Sequence, residues 1–110
     1  MTILRWVSFL FLGRPEVRRE RSRRKNVMGR LHNAFRRTNR ERGLNLFLEF
    51  TRSPEPRIKC FRGRSVVLDI TFNPHGVICM DKGTYGVDFF GANEVEIQRA
   101  VEAVKEFMYH

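Results

Sequence analysis

Residues 18–25, RRERSRRK, put six positive charges into eight positions. Arginine dominates the basic set of the whole chain, with 17 of the 21 basic residues. A guanidinium is planar, permanently charged and donates in a fork, so it suits phosphate or carboxylate better than an ammonium does. A cluster of such groups neutralises several phosphates together and releases their condensed counterions, which gives salt-sensitive binding without any reading of bases. The chemistry to which this stretch points is recognition of a polyanion. Its candidate contact residues are Arg14, Arg18, Arg19, Arg21, Arg23, Arg24, Lys25, Arg30, Arg36, Arg37 and Arg40, with Arg62 and Arg64 further along the chain. Ordinary solvated helix faces mix signs. Here Glu16 and Glu20 lie within a turn of neighbouring arginines, yet most of the charge stays uncompensated. Such self-repulsion is destabilising unless an anion or an acidic partner relieves it.

Other reactive side chains are sparse. His75 lies in a turn (NPHG), His32 on the basic segment and His110 at the end. A metal-independent ribonuclease needs only a His or carboxylate base with Arg or Lys to hold the phosphate. His75 with Asp69 or Glu49 and Arg62 or Arg64 has the residue types, but no spacing singles the group out, and no catalytic residue is assigned. Asp69, Asp81 and Asp88 fall on separate strands and turns and do not form a metal pattern. Cys60 and Cys79 fit small core residues, with no CxxC or His/Cys ligand spacing and too few cysteines for a disulfide framework. A reduced, cytoplasmic compartment is expected. Phosphate-cradling glycine motifs are absent, and GTYG (83–86) is a turn. Neither a metal nor a cofactor is expected.

The elements that must position these groups follow from charge and periodicity. Residues 14–42 hold twelve Lys/Arg against three Glu, a net of +9 that equals the imbalance of the whole chain. At 110 residues and 42% hydrophobic, with ten Phe, the chain fits one domain with a real core. TILRWVSFLFLG (2–13) is too short to span a bilayer as a helix and reads as a strand covered on both faces, with membrane contact or targeting as the alternatives. Pro15 then opens a helix that Gly43 closes. Val27, Met28, Leu31, Ala34 and Phe35 fall within about a 120° arc, and only Arg24 and Arg42 intrude on that side. Residues 26–38 therefore have a stripe to pack, while 14–25 form an Arg-rich extension expected to project from the domain.

From Gly43 the period changes to two. LNLFLEF (44–50), RIKCF (57–61), SVVLDITF (65–72), VICM (77–80) and TYGVDFF (84–90) read as strands, and connections this short make them antiparallel neighbours. Phe47 and Phe61 point away from the expected core. With Arg52, Arg57, Lys59, Arg62 and Arg64 they can stack and neutralise a single strand, unless a second layer such as 2–13 covers them. The last helix is capped by Asn93 with Glu96 three residues on. Ile97, Ala100, Val101, Val104, Phe107 and Met108 make its apolar face.

The expected fold is α+β: an antiparallel four- to five-stranded meander with a long basic N-terminal helix and a C-terminal amphipathic helix. Its parts are an apolar segment 1–13, the extension 14–25 and one domain over 26–110. The expected function is a small, non-enzymatic nucleic-acid-binding protein, RNA before DNA, that grips phosphates with its Arg-rich helix. The alternative is an interaction or inhibitor protein of phage or mobile-element type, docking that helix on an acidic protein surface. Weaker alternatives are a small basic ribonuclease toxin or a protein of anionic membrane surfaces.

Overall fold

Helix α1 spans Pro15–Arg42 in the computed structural model, which describes residues 15–52 and 54–108. The strand expected over 2–13, candidate Arg14 and His110 lie outside the described residues. Proline at the first helical position presets φ and lacks only a donor that would have no partner there. The Arg, Glu and Lys that follow are strong helix formers. Gly43, at φ 60°, ends the helix in a left-handed conformation, and the Leu44 N–H bonds the Asn39 carbonyl at 3.2 Å to close it. The Asn39 side chain also donates to the Leu46 carbonyl at 3.0 Å and accepts from the Leu46 N–H at 3.1 Å. The last turn of α1 is thereby stitched to the approach of the first strand.

Five strands follow: β1 (Phe47–Thr51), β2 (Arg57–Arg62), β3 (Ser65–Phe72), β4 (Ile78–Asp81) and β5 (Val87–Phe90). They form one antiparallel sheet in sequential order, so the meander expected from the short connections is what forms. Two strand starts differ from expectation. Residues 44–46 do not open β1, which begins at Phe47, because Asn45 takes a left-handed φ of 55° that interrupts an extended run. Residues 84–86 do not open β5: Gly83–Tyr85 wind into a 3-10 turn, and Asp81 accepts the Gly83 N–H at 2.9 Å. Glycines at φ 63° (Gly83) and 95° (Gly86) bracket that turn, a conformation that breaks a strand. Helix α2 (Glu94–Met108) closes the fold. Asn93 caps it by accepting the Glu96 N–H at 2.9 Å. The Glu96 carboxylate reaches back to the Gly91 N–H at 3.4 Å, two residues before the usual partner of a capping box.

Both helices lie on one face of the sheet. Val27, Met28, Leu31 and Phe35 of α1 and Ile97, Ala100, Val104 and Met108 of α2 are buried against Ile58, Cys60, Leu68, Ile70, Ile78, Met80 and Phe90 of β2 to β5. The strict alternation in β2, with Ile58 and Cys60 buried between Arg57 and Arg62, is that of a sheet with one covered face. Burial pushes the Cys60 thiol up to about 11, in keeping with an inert core residue. On the outer face, register places Glu49, Lys59, Asp69 and Asp81 in one row across the middle of the sheet. Phe47 (64% exposed) and Phe89 (62%) stand at its two edges.

Candidate nucleic-acid interface

The arginines of α1 divide into two sets. The inward set anchors the helix. Arg23 donates to the Ala92 carbonyl at 2.8 Å and to the Glu20 carboxylate at 3.1 and 3.0 Å. Arg24 donates to the same carboxylate at 2.9 Å, reaches the Pro74 carbonyl at 3.3 Å and Glu55 at 3.4 Å, and lies 5.5 Å from the Phe72 ring centre. Only 14% of the Arg24 side chain is exposed. The hydrogen bond from Arg23 leads in holding the Glu20 carboxyl below its ordinary value, against partial burial and with help from Arg24. Arg30 makes a two-pronged contact with Glu94 at 3.0 and 2.8 Å and touches Gln98 at 3.2 Å, tying α1 to α2. Candidates Arg23, Arg24 and Arg30 are thus occupied within the molecule. Part of the segment without an apolar stripe, at Glu20, Arg23 and Arg24, is fastened to the loops at one end of the sheet.

Gly76 sits directly beneath this cluster. A Cβ there would stand 3.0 Å from Glu20 Oε1 and 3.4 Å from Arg23 Nη2, and the residue has φ 81°. Gly76→Ala therefore meets both a strained backbone and a displaced ion cluster, and it should lower stability by about 1–3 kcal/mol. A urea titration followed by far-UV circular dichroism checks this, and an unchanged midpoint would contradict the anchoring role of the cluster.

The outward set is arranged differently. With residues about 100° apart around the axis, Arg18, Lys25 and Arg36 form one row and Arg19 and Arg37 a second, about 100° further round. Arg40 lies between the rows at the C-terminal end, and Arg21 flanks the first row. All of these are exposed. Among the described residues no ion pair involves Arg19, Arg21, Lys25, Arg36, Arg37 or Arg40. From Arg19 to Arg40 the file is about 32 Å long at 1.5 Å per residue. Between its rows run Ser22, Asn26, Gly29 and Asn33, which the charge pattern alone did not single out. At the C-terminal end, Asn33, Arg36, Arg37, Asn39 and Arg40 line an open hollow of about 440 Å³.

His32 stands beside the first row and stacks on Phe50, ring centres 4.9 Å apart. Burial lowers its pKa from the ordinary 6.5, and the nearby charges of Arg36 and Arg52 lower it further. The folded state thus favours the neutral ring, while the unfolded chain binds more protons. Its contribution to stability is present above about pH 6.5 and is lost as pH falls through that value toward the lowered folded pKa. Unfolding free energy should rise with pH in this window, and His32→Phe should flatten the rise. An unchanged slope in that variant would contradict the assignment.

The remaining candidates lie elsewhere. Arg62 and Arg64 flank the β2–β3 connection. Arg62 lines a separate cleft of about 530 Å³ with Lys82, Asp88 and Glu106, in which Lys82 pairs with Asp88 at 2.7 Å. His75 lies in the Asn73–Gly76 turn, where the Asn73 side chain accepts the N–H groups of His75 and Val77, both at 2.9 Å. The eight residues of β3, about 26 Å of strand, separate that turn from Arg62 and Arg64. The ribonuclease grouping is not brought together. Among the described residues no three His, Cys, Asp or Glu converge as metal ligands, and no helix is long and apolar enough to cross a membrane.

No family model, curated protein or solved structure matches the chain. The functional reading therefore rests on the geometry of α1 itself. Along α1 a file of exposed cations runs on the side opposite the buried Val27, Met28, Leu31 and Phe35, with Ser22, Asn26, Gly29 and Asn33 between its rows.

Proposed function

We propose that this chain is a nucleic-acid-binding protein whose contact surface is the solvent face of α1. The observation that carries the reading is that the exposed cations Arg19, Arg21, Lys25, Arg36, Arg37 and Arg40 make no ion pair among the described residues, whereas the inward Arg23, Arg24 and Arg30 are each paired with a glutamate. If the six outward cations without ion pairs each neutralise one phosphate, the logarithm of affinity for duplex falls with the logarithm of salt at a slope of about −5. That slope corresponds to about a thousandfold loss of affinity between 50 and 200 mM salt.

The outer sheet face, whose Phe47 and Phe61 with nearby basic residues have the types to stack and neutralise a single strand, gives this reading little support. Its central row sets the carboxylates of Glu49, Asp69 and Asp81 against the ammonium of Lys59. Arg57 is bound by Asp69 at 2.9 Å, and Phe47 and Phe61 form one tilted pair with centres 5.9 Å apart. Repulsion by those carboxylates disfavours a phosphate chain over this face.

The test is fluorescence anisotropy of the full chain with duplex DNA, duplex RNA, single-stranded RNA and polyglutamate across a salt series. Tight binding to a nucleic acid with a steep slope supports the reading. Equal, weak binding to every polyanion contradicts it and turns attention to an acidic protein partner.

A further inference from the structure

Resting on the proposal that α1 grips phosphates, we infer that the same face reads base edges in the major groove of duplex DNA. Asn26 and Asn33 present their amides there, and Gly29 allows the close approach. Three observations converge on this arrangement. The first is the spacing of charge: two rows of cations about 100° apart around one helix can each face one phosphate strand, while the strip between them faces the groove floor. A single row would suit one strand only.

The second observation is the chemistry of that strip. Asn26 and Asn33 are exposed, and their side chains make no hydrogen bond among the described residues. This contrasts with Asn39, Asn73 and Asn93, whose side chains are all engaged. The two free amides are seven residues apart on one line of the helix, about 10.5 Å, close to three base-pair steps. A carboxamide offers a donor and an acceptor together, the pair that matches N6 and N7 of adenine.

The third observation is Gly29. In the middle of a 28-residue helix a glycine costs about 1 kcal/mol relative to alanine. Packing does not require it, because a Cβ at this position would meet nothing within 4 Å. A smooth patch between Asn26 and Asn33 is instead what the close approach of a flat base edge needs. The shape of the ligand follows. The major groove of B-form DNA, about 12 Å wide, admits an α-helix, whereas that of A-form RNA is too deep and narrow for side chains to read.

The experiment is selection from a library of DNA duplexes with a randomised centre at near-physiological salt, followed by anisotropy on the enriched and the unselected duplex. Wild type should enrich a site containing adenines about three base pairs apart and bind it at least tenfold more tightly than unselected duplex. Asn26→Ala with Asn33→Ala should keep the salt-dependent binding of unselected DNA but lose that preference. Gly29→Gln should raise the thermal midpoint yet weaken binding to the selected site at least tenfold. Failure of any duplex to enrich, with salt-dependent binding intact, would overturn base reading and leave the phosphate grip standing. Tighter binding of duplex RNA than of any DNA would overturn it also. Loss of binding to every nucleic acid would sink both ideas together.

Discussion

Joint replacement of Arg19, Lys25, Arg36, Arg37 and Arg40 by Gln is expected to abolish nucleic-acid binding at physiological salt without harming the fold. Each phosphate contact removed takes about 0.9 from the log–log salt slope, so the slope should shrink by about 4.5. Affinity at moderate salt should drop by about two orders of magnitude or more. Stability moves the other way, because these side chains are exposed and make no ion pair among the described residues. Removing five like charges from a chain with net charge +9 relieves repulsion along α1, so the thermal midpoint should hold or rise. A fall in the midpoint would mean that these cations carry structural contacts. Replacement of Arg23 and Arg24 by Gln should behave in the opposite way. It strips the cluster around Glu20 of both donors and frees the Ala92 and Pro74 carbonyls, lowering stability by about 1–3 kcal/mol. Comparison of the two variants in anisotropy and urea unfolding separates binding charge from anchoring charge.

Phe35→Ala should be the most damaging single change in the core. Phe35 is fully buried, the largest such side chain, and lies where α1 meets the sheet. Truncation loses the transfer free energy of the ring and leaves a cavity that a closely packed core collapses into only partly, costing about 3–5 kcal/mol. Domains of this size are typically stable by about 5–15 kcal/mol, so the variant should be marginal at ambient temperature. Urea unfolding measures it against Val95→Ala, at a residue 72% exposed, which should change stability by less than about 0.5 kcal/mol. A small effect of Phe35→Ala would contradict the description of a single core layer shared by both helices.

Much of this architecture was legible in the residues, for identifiable reasons. Pro15 and Gly43 mark both ends of α1, because ring-fixed φ and left-handed φ are local requirements. The bounds of β3, Ser65–Phe72, stood in a period-two pattern between turn residues. The start of β5 was misplaced because aromatic and β-branched residues at 84–87 resemble a strand, whereas the left-handed conformations of Gly83 and Gly86 impose a turn.

The candidate site was legible in direction but not in allocation. A helical wheel states where a side chain points, not what awaits it. The partners of Arg24 and Arg30 lie 31 and 64 residues away, in the β1–β2 connection and on α2. One signal was available: Arg24 intruded on the apolar arc, and a charge pointing inward requires a partner there. The strip of Ser22, Asn26, Gly29 and Asn33 was hidden by the opposite effect, since neutral residues between many charges leave no mark in a count of charge.

The most direct test of the central claim uses the four lysines, which happen to sample four surfaces: Lys25 on α1, Lys59 on the outer sheet face, Lys82 before β5 and Lys105 on α2. Each is acetylated with and without saturating duplex DNA at low salt, and its modification is read by mass spectrometry. The account predicts strong protection of Lys25, with Lys59, Lys82 and Lys105 unchanged. Protection of Lys59 with Lys25 still reactive would place the ligand on the sheet and contradict α1 as the contact surface.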